Sequence, residues 1–239
     1  GETITPTEAA LLGQQTENNF IGAQTGIMDQ LICASGERDH ALLIDCRDLS
    51  TRSVSMDPNF KIVIFNSNVK RGLVDSEYNL RRQQCQKAAE ILGVKALRDA
   101  DLPLLSQHKN DLDEQVYRRA LHVITENQRT LLAADALEQR DWKSLAQLMA
   151  DSHESMKTDF EITVPAIDGL VELITQALPA GAGGARMTGG GFGGCVVALI
   201  AENFVEAVIS EVNQQYKQRF GIEESVYICQ AMDGAFMAQ

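Results

Sequence analysis

Apolar positions recur along the chain at helical spacing in some stretches and as short strand-like runs in others. The changes between the two mark out its elements. In TITPTEAALLGQQTENNFIG, Thr5 stands where a helix N-cap would, Pro6 suits the first helical position and Glu8 completes a capping box. On that helix Ala10, Gly13 and Glu17 share a face, so small residues leave room beside a carboxylate. GAQTGIMDQLICAS predicts a second helix, with Ile27, Leu31 and Ala34 on one side and Met28 and Ile32 beside them. HALLIDC and TRSVSM follow as two short strands around a polar turn, and KIVIFNSN as a buried strand with a polar tip.

LVDSEYNLRRQQCQKAAEILG places Tyr78, Cys85, Ala89 and Leu92 on one helical face, with Gly93 as C-cap. From Leu112 to about Lys157 the chain is helical in character and poor in glycine and proline. Pro165 opens a helix whose buried stripe is Ile167, Leu170, Val171, Ile174 and Leu178. A short strand ARMT, a glycine run, the strand CVVALIA, the amphipathic helix FVEAVISEVNQQYKQRF and the strand SVYICQA complete the chain. After residue 60 the order is strand, helices, strand, strand, helix, strand. That is a ferredoxin-like split βαβ with a helical insertion after its first strand, and it makes the fold class α+β. Residues 1–58 read as a separate and incomplete part, because two helices and a hairpin make a poor core of their own. The second domain is expected over 59–239.

Composition narrows the function classes. The chain has 239 residues, 44% apolar and 23% charged, enough for one large or two smaller globular domains. A net charge of −12 argues against a broad nucleic-acid surface but leaves room for a small anionic ligand. The five cysteines, Cys33, Cys46, Cys85, Cys195 and Cys229, are odd in number, widely spaced and without a CxxC. A disulfide framework or zinc site is therefore not expected, and a reducing cytoplasm is. No apolar run is long enough to cross a bilayer and no signal peptide is visible, so no membrane partner is expected. The first residue is Gly1, which points to a chain that begins partway through a longer protein or with a residue left by cloning.

The densest chemical signal is ARMTGGGFGGCVVALI, with five glycines within positions 189–194. Gly189, Gly191 and Gly194 match G-x-G-x-x-G, but a dinucleotide fingerprint needs a helix after the motif and here a strand follows. No Lys-Ser or Lys-Thr ends the run, so it is not a Walker A loop either. A plain hairpin needs only one or two glycines. Five imply a close approach by another group or several positive φ angles, which favours function modestly.

Other candidates each carry a bland reading when taken alone. Asp29 suits the positive end of a helix dipole. Glu17 suits an exposed helix face and Tyr78 half-buried packing. Arg81 and Arg82 read as a solvated face. His40, His108, His122 and His153 have no metal-ligand spacing, and His153 fits a helix surface.

Taken together and in order, four stretches resemble the galactokinase branch of the GHMP small-molecule kinases. They are TENNFIGAQTGIMDQLICASGERDHALLIDCR, NSNVKRGLVDSEYNLRRQQC, SHESMKTDFEITVPAID and ARMTGGGFGGCVVAL. The resemblance runs from Glu8 to the last strand and is strongest for a bacterial enzyme. It implies that residues 1–58 are the end of a ribosomal S5 domain 2-like N-terminal domain. Family members also carry a sugar motif like GRVNLIGEHTDY and a phosphate loop like GLSSSA, and neither string occurs here. The chain thus looks like the C-terminal two-thirds of such an enzyme, with the N-terminal segment as its partner and negligible kinase activity of its own.

The implied reaction is phosphoryl transfer from Mg-ATP to the C1 hydroxyl of galactose, with ATP as co-substrate and Mg²⁺ as cofactor. Asp29 would be the catalytic aspartate, accepting the hydroxyl proton or chiefly orienting the hydroxyl. Gly26 and Tyr78 would contact the sugar, Lys70 would keep Asp29 ionised, and Glu17 would hold the magnesium. Gly189, Gly190, Gly191, Gly193 and Gly194 would form a wall of the nucleotide site, with direct phosphate contact left open. Two alternatives share the fold: an N-acetylgalactosamine kinase, and a non-catalytic galactose-sensing protein. The presence of both Asp29 and Glu17 speaks against the second.

Overall fold

The computed structural model describes residues 4–22, 25–69 and 74–236. They fall into two units, one of residues 1–58 with 229–239 and one of residues 59–228.

The first unit begins with α1 (Pro6–Gln15), and its N-terminus is the reciprocal capping box that its sequence predicts. The Glu8 N–H donates to Thr5 Oγ1 at 3.2 Å, and the Thr5 N–H donates to the Glu8 carboxylate at 2.7 Å. The helix then widens into a π-helix over Thr16–Ile21, closed by Gly22 at φ +82°. Glu17 stands in the first turn of this π-helix. Helix α2 (Met28–Ser35) packs on α1, and Ala10, Ile27, Leu31 and Ala34 form the small core between them. Strands β1 (His40–Ile44) and β2 (Thr51–Ser55) form an antiparallel hairpin with Leu42 opposite Ser53.

The end of the chain ties down the C-terminus of α2. The Gly234 N–H donates to Gly36 O at 2.7 Å and the Ala235 N–H to Cys33 O at 2.9 Å. A Cβ on Gly234 would lie 2.7 Å from Ala34 O, so only glycine allows this approach. Cys229–Gln239 accordingly groups with the first unit rather than with the residues it follows.

The second unit is built on a sheet of β3 (Phe60–Asn66), β4 (Gly183–Thr188), β5 (Cys195–Ala201) and β6 (Ser225–Cys229). Its strand order is β4-β5-β3-β6. Strand β5 is antiparallel to both β3 and β4, with Ala198 opposite Val63 on one side and Ala185 on the other. The strands that flank the helical insertion are thus separated by a third, which is the split βαβ arrangement. Val63, Phe65, Val196, Ala198 and Ile200 are fully buried against α7 (Pro165–Ala177) and α8 (Val205–Phe220).

The insertion supplies α3 (Val74–Ile91), α4 (Leu102–Gln107), α5 (Glu114–Glu138) and α6 (Trp142–Thr158). Helices α3 to α5 share a second core around Ala88, Leu105, Val116 and Ala120. The helical stretch expected from Leu112 to Lys157 is broken at Arg140, which takes φ +56°. Asp141 then caps α6 by accepting from the Ser144 N–H at 3.1 Å. Helix α4 went unforeseen, although Asp101 and Pro103 make an ordinary N-cap and first turn.

Helix α6 lies on β4, where a Cβ on Gly184 would come within 2.8 Å of the Ala146 Cα. That packing corrects the surface reading of His153. The ring is buried, with Nε2 3.4 Å from Asp168 Oδ1 and Nδ1 accepting the Met187 N–H at 3.3 Å. Among the described residues no helix is long and apolar enough to cross a membrane.

Candidate active site

In the first unit the candidate residues lie on the π-turn, on the start of α2 and on the segment between them. Asp29 sits in the first turn of α2, exposed, where the helix dipole favours a carboxylate. Buried Ile27 and Leu31 on either side anchor that turn to α1. Gly26 is exposed, and a Cβ there would meet nothing within 4 Å. Its glycine is therefore not demanded by packing within the protein.

Glu17, in the π-turn, accepts a hydrogen bond from the Thr25 hydroxyl at 2.9 Å. Asn18 Oδ1 accepts from the Thr25 N–H at 2.9 Å, and Gln14 Nε2 donates to Thr25 O at 3.1 Å. Thr25, the residue before Gly26, is thus tied to the π-turn and the end of α1. The sequence reading missed Thr25, Asn18 and Gln14. The signal available was a run of amides and hydroxyls at the end of an otherwise regular helix, where a π-bulge often marks a site.

Magnesium asks for hard oxygen ligands, and the oriented Glu17 carboxylate is one. Among the described residues no three His, Cys, Asp or Glu side chains gather as a metal site. A single carboxylate fits a Mg²⁺ ion that takes its other ligands from phosphate and water, which is how that ion is usually held.

In the second unit Tyr78 lies on α3. At 45% exposed it is about half-buried, as the bland reading has it. Lys70 lies outside the described residues. The glycine run is the loop of the β4–β5 hairpin, whose last pair is Thr188 with Cys195. Gly189, Gly191, Gly193 and Gly194 take φ of +83°, +86°, +119° and +87°, so four of the five glycines answer a left-handed backbone. Gly189 and Gly190 are exposed, whereas Gly191, Gly193 and Gly194 are buried.

The buried side of the loop is fastened at both ends. A Cβ on Gly191 would lie 2.5 Å from Ile162 O, and the Phe192 N–H donates to that carbonyl at 2.7 Å. Gly194 O accepts from the N–H and the hydroxyl of buried Ser67 at 2.9 and 2.8 Å. The Tyr216 hydroxyl in turn donates to Ser67 O at 2.9 Å, and its burial pushes the phenol up to about 12.

Beneath the loop three arginines hold residues 158–161. Arg81 donates to the carbonyls of Phe160 and Glu161 at 2.7 and 2.9 Å. Arg118 donates to Thr158 O at 3.0 Å. Arg119, wholly buried, donates to Asp159 O and the Glu161 carboxylate, and to Gln84 Oε1 at 3.2 Å. This corrects the solvated reading of Arg81, which is 6% exposed. Adjacent arginines in a helical pattern do not reveal which one turns inward, because the carbonyls that recruit it lie about 80 residues away in sequence.

His122 stacks on Phe160 with ring centroids 4.4 Å apart, and its Nδ1 lies 3.0 Å from Ser155 Oγ. Burial, the largest influence, depresses the imidazole to about 4. The unfolded chain, with a histidine near 6.5, therefore binds the extra proton first. Stability is expected to fall by up to about 3 kcal/mol as pH drops from 6.5 towards 4. Urea unfolding at stepped pH checks this, and His122→Gln should flatten the slope above pH 5.

The chain as a whole is similar to known proteins. The GHMP kinases C terminal family profile matches residues 133–218. A crystal structure of Lactococcus lactis galactokinase complexed with galactose matches at TM-score 0.91 and 33% identity, over 98% of this chain and 61% of that one. L. major mevalonate kinase in complex with R-mevalonate matches at TM-score 0.62 and 15% identity, over 98% of this chain and 60% of that one. Streptococcus pneumoniae phosphomevalonate kinase in complex with phosphomevalonate and AMPPNP matches at TM-score 0.56 and 11% identity, over 95% and 62%. The last two likenesses speak to fold alone. The chain spans about 60% of the length of these relatives.

Proposed function

We propose, for a chain that has the GHMP kinase fold and carries that family's C-terminal domain, that it forms part of a galactokinase. The reaction is transfer of the γ-phosphoryl group of ATP to the C1 hydroxyl of galactose, giving galactose 1-phosphate and ADP. The observation that carries the reading is the match, at 33% identity over 98% of this chain, to a galactokinase holding galactose.

The roles follow from the chemistry of each position. Asp29 accepts the proton of the C1 hydroxyl as its oxygen bonds to the γ-phosphorus and the bond to ADP breaks. A carboxylate at an exposed helix N-terminus is favoured by the helix dipole and open to a substrate hydroxyl. Gly26, where a side chain is absent, lets the backbone lie against the sugar. Tyr78 offers a hydroxyl to the sugar from α3. Lys70 is assigned to the site as its supporting basic residue. Glu17, oriented by Thr25, would hold Mg²⁺, which when bound neutralises the charge of the ATP phosphates. The exposed edge of the glycine loop, at Gly189 and Gly190, forms a wall of the nucleotide site.

The test uses the completed enzyme, meaning this chain preceded by a galactokinase segment with the sugar and phosphate-loop motifs absent from it. ADP release with Mg-ATP is measured for galactose, N-acetylgalactosamine and glucose. Galactose should give the highest kcat/KM. Preference for N-acetylgalactosamine, or galactose binding with no ADP release, would replace this reading by one of its two alternatives.

A further inference from the structure

A buried side chain joins the helix that carries Tyr78 to the glycine loop. Arg81 lies one turn after Tyr78 on α3, and its side chain is 8% exposed. Its guanidinium donates through Nε to Phe160 O at 2.7 Å, through Nη2 to Glu161 O at 2.9 Å and through Nη1 to Glu77 Oε2 at 3.1 Å. The same group lies 5.7 Å from the centroid of the Phe192 ring, inside the glycine loop. Residues 160–162 are therefore held from one side by Arg81 and bonded on the other to the loop, through Ile162 O and the Phe192 N–H at 2.7 Å. Glu161 takes φ +52° and Phe192 φ +58°, both in the left-handed region, so neither residue rests where its own backbone would prefer. Arg81 contacts both turns, through Glu161 O and the Phe192 ring.

We propose that Arg81 is a positioning residue of the phosphoryl-transfer site, setting the glycine loop through the carbonyls of Phe160 and Glu161 and the ring of Phe192. The inference rests on the reading of that loop as a wall of the nucleotide site. A planar guanidinium grips two carbonyls and stacks on a ring at once, whereas a lysine ammonium does not reproduce that fork. Its loss loosens the loop and weakens the hold on ATP while the sugar contacts remain.

The experiment compares Arg81→Lys and Arg81→Gln with the parent in the completed enzyme, by initial rates at varied ATP and varied galactose, with the melting temperature of each. KM for ATP should rise at least fivefold in Arg81→Lys and further in Arg81→Gln, with KM for galactose within twofold. Unchanged KM for ATP in folded Arg81→Lys overturns the proposal. Both KM values rising together overturns it too, because a general loss of structure gives that result. Gly190→Asp separates this failure from failure of the loop reading. Position 190 has open space around its Cβ and no positive φ, so a carboxylate is accommodated there. It should raise KM for ATP by charge repulsion. If it does not, the loop is not at the nucleotide. If it does and Arg81→Lys does not, the loop reading stands and the Arg81 inference falls.

Discussion

Asp29→Asn in the completed enzyme lowers kcat by about 10²–10⁴-fold, the span a positioned base contributes, and changes KM for galactose by less than about threefold. The asparagine amide has nearly the shape of the carboxylate and can still hydrogen-bond a hydroxyl, but it cannot keep a proton. Asp29 is exposed at the start of α2, so the substitution leaves no buried group unpaired. Circular dichroism and melting temperature should match the parent. A loss under tenfold would mean that Asp29 orients the hydroxyl, and that the proton leaves with the phosphoryl group or to water. Most of phosphoryl transfer rests on positioning and charge neutralisation, so a residual rate above the uncatalysed one is expected.

The largest stability effect is expected at Arg119. Arg119→Met keeps the length and apolar stem but removes a wholly buried charge. The substitution strands Asp159 O and Gln84 Oε1, which accept from it, and leaves the Glu161 carboxylate with Arg118 at 3.0 Å. Hydrogen bonds from Arg119 are the main reason Glu161 sits below the ordinary carboxylate range. Removing one partner of a buried pair typically costs about 3–5 kcal/mol. The Glu161 side chain is 39% exposed, and water reaching it brings the estimate to about 3–4 kcal/mol. The melting temperature should fall by roughly 4–5 °C, read by calorimetry on the completed enzyme. Arg118→Met, at a position one third exposed, should fall by much less. Equal losses at the two positions would contradict the account of Arg119 as the centre of the cluster.

Much of the fold was legible because it rests on local rules. Thr5 and Glu8 spell out a helix start that the structure repeats bond for bond. CVVALIA is a strand over all of its length, and the strand and helix order after residue 60 led to the split βαβ sheet. The glycine run could be placed in a hairpin, and its count foretold the four positive φ angles found there. Less legible was what depends on partners distant in sequence. The inward turn of Arg81 answers carbonyls at 160 and 161, and burial of His153 answers the packing of α6 on β4. The tail that holds α2 through Gly234 is drawn to it by backbone bonds that no periodicity encodes. Thr25 escaped notice because its role depends on hydrogen bonds to Asn18 and Glu17 in a π-turn, seven and eight residues back along the chain.

The central claim is that this site phosphorylates galactose at C1 with Asp29 as the proton acceptor. ³¹P NMR of the completed enzyme with Mg-ATP and galactose tests it most directly, run beside Asp29→Asn at equal protein concentration. The account predicts a phosphomonoester signal coupled to the anomeric proton, growing as the ATP γ-phosphate signal declines, and at least 100-fold slower in the variant. A phosphate on another carbon, or equal rates in the two proteins, would contradict it.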